Sequence, residues 1–183
     1  MIEWIIIGVV GLLVVITIYY YNRFIVLGNR IDNSLSQINV QLKRRADLIP
    51  NLLETVKGYA KHEKAIITSV SEARKALVGA KGVEQKVAAN QKLEGALGRL
   101  FAIAENYPDL KANTNFLELQ RELSSTEDKI AYARQFYNDS ILSYNNMVQM
   151  FPGSMFAGIF HKKAREYLQI AEAEKKNVKV SFD

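Results

Sequence analysis

The sequence predicts an all-α fold in which an N-terminal transmembrane helix is continuous with a long helix of an antiparallel helical bundle. Three observations predict it. The first two dozen residues are apolar and almost uncharged. Beyond them apolar residues recur every three or four positions, with no run of period two to suggest a strand. Finally, clusters of turn residues, Val78-Gly79-Ala80-Lys81-Gly82, Asn106-Tyr107-Pro108-Asp109 and Phe151-Pro152-Gly153-Ser154, divide the periodic runs.

Residues 4–22 carry no charged side chain, and 5–18 are Ile, Val, Leu and Gly with a single Thr. At 1.5 Å per residue about 19 such residues make roughly 28 Å of helix, close to the ~30 Å hydrocarbon core of a bilayer. Trp4 stands at one end and Tyr19, Tyr20 and Tyr21 at the other, where amphipathic rings settle at headgroup level. A cleaved signal peptide would want a basic n-region, a shorter apolar core and a small-x-small site. Here the only early charge is Glu3, and bulky Tyr-Tyr-Tyr-Asn-Arg follows Ile18. The division expected is therefore an anchor over 1–22 and a helical-bundle domain over 23–183. Arg23, Arg30, Lys43, Arg44 and Arg45 follow the span and no Lys or Arg precedes it, so the positive-inside rule predicts a single-pass cell-membrane protein with a cytoplasmic C-terminal domain.

Composition narrows the rest. The chain has no cysteine, which removes disulfides, thiolate metal sites and a Cys nucleophile. Its net charge of +5 comes from Lys and Arg interleaved with Glu and Asp, the pattern of solvated helical faces. No basic stripe with interleaved aromatics is present, so no nucleic-acid partner is expected.

After the span, Phe24, Leu27, Ile31, Leu35, Ile38, Leu42, Ile49, Leu53, Val56, Ala60, Ile67 and Val70 form one stripe of a helix predicted to run unbroken to Val78, kinked at Pro50. A second helix is predicted over 83–106. Asn113 or Thr114 is the candidate N-cap of a third, whose seam of Phe116, Leu119, Leu123, Ile130, Ala133, Tyr137, Ile141, Tyr144, Val148 and Phe151 is coiled-coil-like. The third helix ends at Phe151-Pro152. A last helical segment begins near Met155 and leads into a polar tail over 172–183.

The motifs Tyr21-Asn22, the run from Val40 through Lys43-Arg44-Arg45-Ala46-Asp47-Leu48-Ile49-Pro50-Asn51 to Leu52, Gly58-Tyr59-Ala60, Tyr107-Pro108-Asp109-Leu110-Lys111-Ala112-Asn113, Arg134-Gln135-Phe136-Tyr137-Asn138, Tyr144-Asn145 and Phe151-Pro152 resemble the LemA family over nearly the whole length. That resemblance implies a single-pass bacterial membrane protein with a helical-bundle domain. It implies no reaction and no catalytic residue.

No catalytic, cofactor or metal site can be drawn from the residues themselves. His62-Glu63 and His161 are the only histidines, and His62-Glu63-Lys64-Ala65-Ile66 fits neither Glu-x-x-His nor His-Glu-x-x-His spacing. Lys43, Arg44 and Arg45 either bind lipid phosphates or an acidic partner or, more commonly, pair with carboxylates such as Asp109, Glu118 and Glu122.

Helix lengths suggest a layout. A continuous first helix puts its tip roughly 80 Å from the membrane, a second returns only ~36 Å, and the third then starts roughly 30 Å up and climbs parallel to the first. On that layout Arg134 comes level with Glu63 as a register pair. Phe151, Met155, Phe156, Ile159 and Phe160, with Met150, gather at the end furthest from the bilayer. Leu27, Ile31, Leu35, Ile38 and Leu42 are left uncovered, and the expected cover is a second copy in a homo-oligomer. The expected function is a membrane-anchored, non-enzymatic scaffold that self-associates or docks a partner protein. The alternatives are a sensor subunit acting through the Pro50 kink and a membrane-surface enzyme.

Overall fold

The computed structural model describes residues 1–168, and the tail expected over 172–183 lies outside the described residues. Among those described, all regular structure is helical: α1 (Ile2–Tyr59), α2 (Lys64–Gly79), α3 (Gly82–Ala104), α4 (Pro108–Lys111), α5 (Thr114–Gln149) and α6 (Gly153–Ile159). Two compact units are formed, one from Ile38–Tyr132 and one from Met1–Gln37 with Ala133–Tyr167.

In the first of these units α1 passes through Pro50 on its exposed side but stops at Tyr59, nineteen positions short of the predicted end at Val78. Gly58 weakens the helix by about 1 kcal/mol relative to Ala, and side chains brought from elsewhere hold the corner. The Tyr107 hydroxyl donates to Glu63 Oε1 at 2.8 Å, and Asn113 Nδ2 donates to the Tyr59 hydroxyl at 2.9 Å. The bond to Glu63 also holds the Tyr107 phenol above its ordinary pKa range.

That one break reverses everything after it. α2 returns antiparallel to α1, with Arg74 Nε donating to the Ala46 carbonyl at 2.7 Å. Gly82, at φ +78, supplies the left-handed residue that turns the chain into α3. α3 then runs parallel to α1, joined by Lys86 to Asn39 at 2.7 Å and Arg45 to Asn90 at 3.1 Å. The Asn113 side chain accepts the Phe116 N–H at 3.0 Å, the N-cap expected for the third long helix. α5 descends antiparallel to α1, its Glu122 2.7 Å from Arg44. The unit is an up-down-up-down bundle, with Ile49, Leu52, Val70, Leu93, Leu100, Leu110 and Leu123 in its core.

The other unit joins the start of α1 to the end of α5 and to α6. Phe24, Leu27 and Ile31 pack against Ile141 and Tyr144 of α5 and Ala157 of α6. The Arg30 guanidinium lies over the Phe136 ring at 4.9 Å. Asn145 uses both halves of its buried amide on one residue, donating to the Arg165 carbonyl and accepting from the Arg165 N–H, each at 2.8 Å. Arg165 in turn reaches Asp32 at 3.3 Å.

These contacts correct three expectations. The stripe is not left for another copy to cover: Leu27 and Ile31 are buried under α5 and α6, Ile38 and Leu42 are buried as well, and Leu35 is half-buried. Glu63 takes the Tyr107 hydroxyl rather than Arg134, because antiparallel α5 places the Arg134 stretch beside Arg30, early in α1. The apolar group at the end of α5 is not at the far tip. Phe156 stacks on Tyr20 with centroids 4.6 Å apart, and Phe160 lies edge-on to Tyr21 at 5.4 Å, at the end of the apolar span.

α6 closes in a Schellman turn. The Lys162 N–H reaches the Ala157 carbonyl at 2.8 Å and the His161 N–H reaches Gly158 at 3.3 Å, with His161 at φ +51 where glycine is usual. His161→Gly is therefore expected to stabilise the protein by about 1 kcal/mol, because a side chain in left-handed backbone costs about that much. A denaturant midpoint that does not rise would show the turn to be unstrained.

Candidate functional site

The apolar span comes first. Every residue of 1–15 is exposed, among them Trp4, Ile7, Val10 and Leu13. In water such a surface is far beyond what a soluble protein carries. The same helix then turns apolar residues inward at Phe24, Leu27 and Ile31, so one element changes its environment at about the Tyr19-Tyr20-Tyr21 girdle.

The second feature is a groove of about 660 Å³ in the four-helix unit, walled by α3 and α5 with Arg45 of α1 at its base. Leu97, Phe101 and Leu123 give it an apolar floor, while Gln91, Glu94, Gln120, Ser124 and Glu127 supply a polar rim. Gly95 and Gly98 leave the α3 wall bare, since a Cβ at either would meet open space.

Arg45 is 2% exposed. Its guanidinium donates to Asn90 Oδ1 at 3.1 Å and to Glu127 Oε2 at 3.5 Å, while its Nε and the Gln41 Oε1 one turn earlier are buried without a hydrogen-bond partner. Burial lowers the guanidinium from its ordinary range, against the opposing pull of Glu127 and Glu94. A guanidinium keeps its proton inside proteins, so the bundle holds a buried cation, which is tolerable only with good partners. Both halves of the pair occupy core registers. Arg45 falls between Leu42 and Ile49 in the α1 stripe, and Asn90 between Val87 and Leu93 in α3. A polar residue at an apolar register on each of two helices was the sequence signal for this pair, and neither Asn90 nor Glu127 was singled out.

The other cations of the cluster are also matched. Lys43 meets Asp47 at 2.8 Å and Arg44 meets Glu122, one of the three carboxylates named from sequence. These pairs are largely solvent-exposed and contribute at most about 1 kcal/mol each. Among the described residues no group of three or more His, Asp and Glu side chains is arranged to hold a metal ion.

Comparison with known proteins gives relatives along most of the chain. Magnetosome protein MamQ of Magnetospirillum gryphiswaldense is 30% identical over 80% of this chain and 64% of its own length. Magnetosome protein MamQ 2 of Paramagnetospirillum magneticum is 26% identical over 81% and 64% respectively. Protein LemA of Metamycoplasma hominis is 27% identical over 67% of this chain and 57% of its own length. The chain thus spans less than two thirds of the curated relatives it matches. Residues 34–182 match the LemA family, from the middle of α1 through α6 and beyond, and the chain belongs to that family.

Proposed function

We propose that this protein is a membrane-anchored, non-enzymatic helical scaffold that docks a partner protein in the groove between α3 and α5. The observation that carries the reading is α1 itself: an apolar stretch whose every side chain faces outward over 1–15 belongs to the same helix that builds the bundle. Docking is favoured over self-association through the α1 stripe, because the chain's own α5 and α6 cover its Leu27 and Ile31, and Ile38 and Leu42 are buried as well. The groove suits a protein segment. It is open and apolar at the floor, hydrogen-bonding at the rim and unobstructed at Gly95 and Gly98, and a polar rim around an apolar centre is what interfaces use. By the positive-inside rule the bundle faces the cytoplasm.

The test is photocrosslinking in native membranes from Ser124 and Gln120, with Gly95→Trp as a blocking variant. The expected result is one discrete adduct to a different protein that stays in the membrane pellet after an alkaline carbonate wash and disappears in Gly95→Trp. An adduct between two copies would replace docking with self-association. Adducts that survive Gly95→Trp would move the docking site elsewhere, and recovery of the full-length protein in the wash would overturn the anchor.

A further inference from the structure

The corner between α5 and α6 has two faces of different character. Inward, Phe156 and Phe160 pack on Tyr20, Tyr21 and Phe24, and Ala157 is buried with Leu27 and Ile31. Outward, Met150, Phe151, Met155 and Ile159 are exposed, Phe151 at 80%. Four large apolar side chains in water on one short corner is an arrangement that a solvated surface does not favour. Immediately after them the chain reads His161-Lys162-Lys163, with His161 and Lys163 exposed and Lys162 half-buried. Arg165 is committed to Asp32 and the Tyr144 ring. Arg23, at the end of the span, is exposed too.

The position of the corner identifies the occupant. Tyr20 and Tyr21 close a span of bilayer length, and rings at such a boundary sit among lipid headgroups. Whatever stacks on them sits at that depth as well. A segment with Met and Phe on one side, followed by lysines, has the composition of an element lying in the membrane interface, its apolar side chains at the headgroup-acyl boundary and its ammonium groups on lipid phosphate.

We infer that the α5–α6 corner is a second membrane-contact site, in which Met150, Phe151, Met155 and Ile159 enter the bilayer interface and Lys162 and Lys163 engage anionic phospholipid. The inference rests on the membrane-anchored reading above. It adds that the folded unit itself, and not the span alone, is held against the lipid. It also gives the lysines a reason to follow α6 directly, since they reach the phosphate layer only if the apolar side chains before them are seated below it.

The cysteine-free chain permits a direct test on the full-length protein. Single cysteines are introduced as Phe151→Cys and Met155→Cys, with Val10→Cys in the span and Asp139→Cys on an exposed position of α5 as references. Each is labelled with an environment-sensitive fluorophore and reconstituted into phosphatidylcholine vesicles with or without about 30% phosphatidylserine. Some of the lipid carries a quencher on its acyl chain. Labels at 151 and 155 are expected to be quenched roughly twofold or more over the label at 139, and more so with phosphatidylserine present. Combining Lys162→Gln with Lys163→Gln is expected to abolish that extra quenching. Labels at 151 and 155 that behave like 139 while 10 is quenched would overturn the second contact and leave the anchor standing. Absence of quenching at 10 would overturn the anchor and this inference with it. Self-crosslinking at 151 without quenching would assign the patch to another copy, and quenching indifferent to lipid charge and to the lysines would remove the phosphate contact.

Discussion

Asn90→Leu is expected to lower the melting temperature of the full chain by about 6–12 °C, which is the shift that ~3 kcal/mol produces in a domain of this size. Leucine matches the shape of asparagine closely, so little packing is lost. The loss falls on Arg45, which is 2% exposed and has its shorter hydrogen bond to Asn90, with the one to Glu127 at 3.5 Å. A buried charge deprived of a partner costs about 3–5 kcal/mol, and the half-exposed Glu127 carboxylate recovers part of that. Arg45→Met removes the charge and keeps most of the stem, so its expected cost is only about 1 kcal/mol, chiefly for the orphaned Asn90 carbonyl oxygen. Combining the two replaces a polar pair by an apolar one and should return the midpoint to within about 1 kcal/mol of the parent protein. Circular dichroism melts of the four proteins complete the cycle. Additive losses would show that Arg45 does not depend on Asn90.

Gly153→Ala carries the second large effect. The added methyl carbon would lie 2.3 Å from the Met147 carbonyl oxygen and 3.3 Å from its carbon, and both belong to backbone that cannot swing aside as a side chain would. The corner must open, and with it the seating of α6 on Phe24, Leu27 and Ile31. Overpacking of this kind costs about 1–3 kcal/mol and at times more. Gly158, in the same short helix, has open space at its Cβ position, so Gly158→Ala should be neutral or stabilising by up to about 1 kcal/mol. A protein in which both alanines behave alike would show that α6 is held loosely enough to absorb the clash.

Helix content and most boundaries were legible from the residues alone. The stripe, the Gly79 to Gly82 turn, the Asn113 cap and the stop at Phe151-Pro152 all act locally, and local signals survive in sequence. The stop at Tyr59 does not act locally. Apart from Gly58 nothing near it disfavours helix, and the side chains that hold it, Tyr107 and Asn113, come from the residues just before α4 and just before α5. Reading through that break merged α1 with α2 and inverted the direction of α3 and α5. The Glu63 to Arg134 pairing, the uncovered stalk and the remote placement of Phe156 and Phe160 were all consequences of the one inversion. Arg44 and Glu122 were matched regardless, since both layouts bring the early part of α5 near the middle of α1. The groove was invisible for a different reason: cavity shape depends on how three helices meet, and two glycines in a helical run carry no sign of it.

The α1–α5 pairing also governs the order in which the chain can fold. Arg44 and Glu122 are 78 residues apart, so at about 5–20 residues per second a ribosome needs roughly 4–16 s after making one to make the other. Throughout that interval the side chains that will cover Leu27 and Ile31, those of Ile141, Tyr144 and Ala157, have not been synthesised. The local α2–α3 hairpin forms in microseconds to milliseconds once it is out. The nascent protein therefore spends seconds with a long apolar stripe waiting for its mate, and until α5 arrives that stripe is a surface on which aggregation can start.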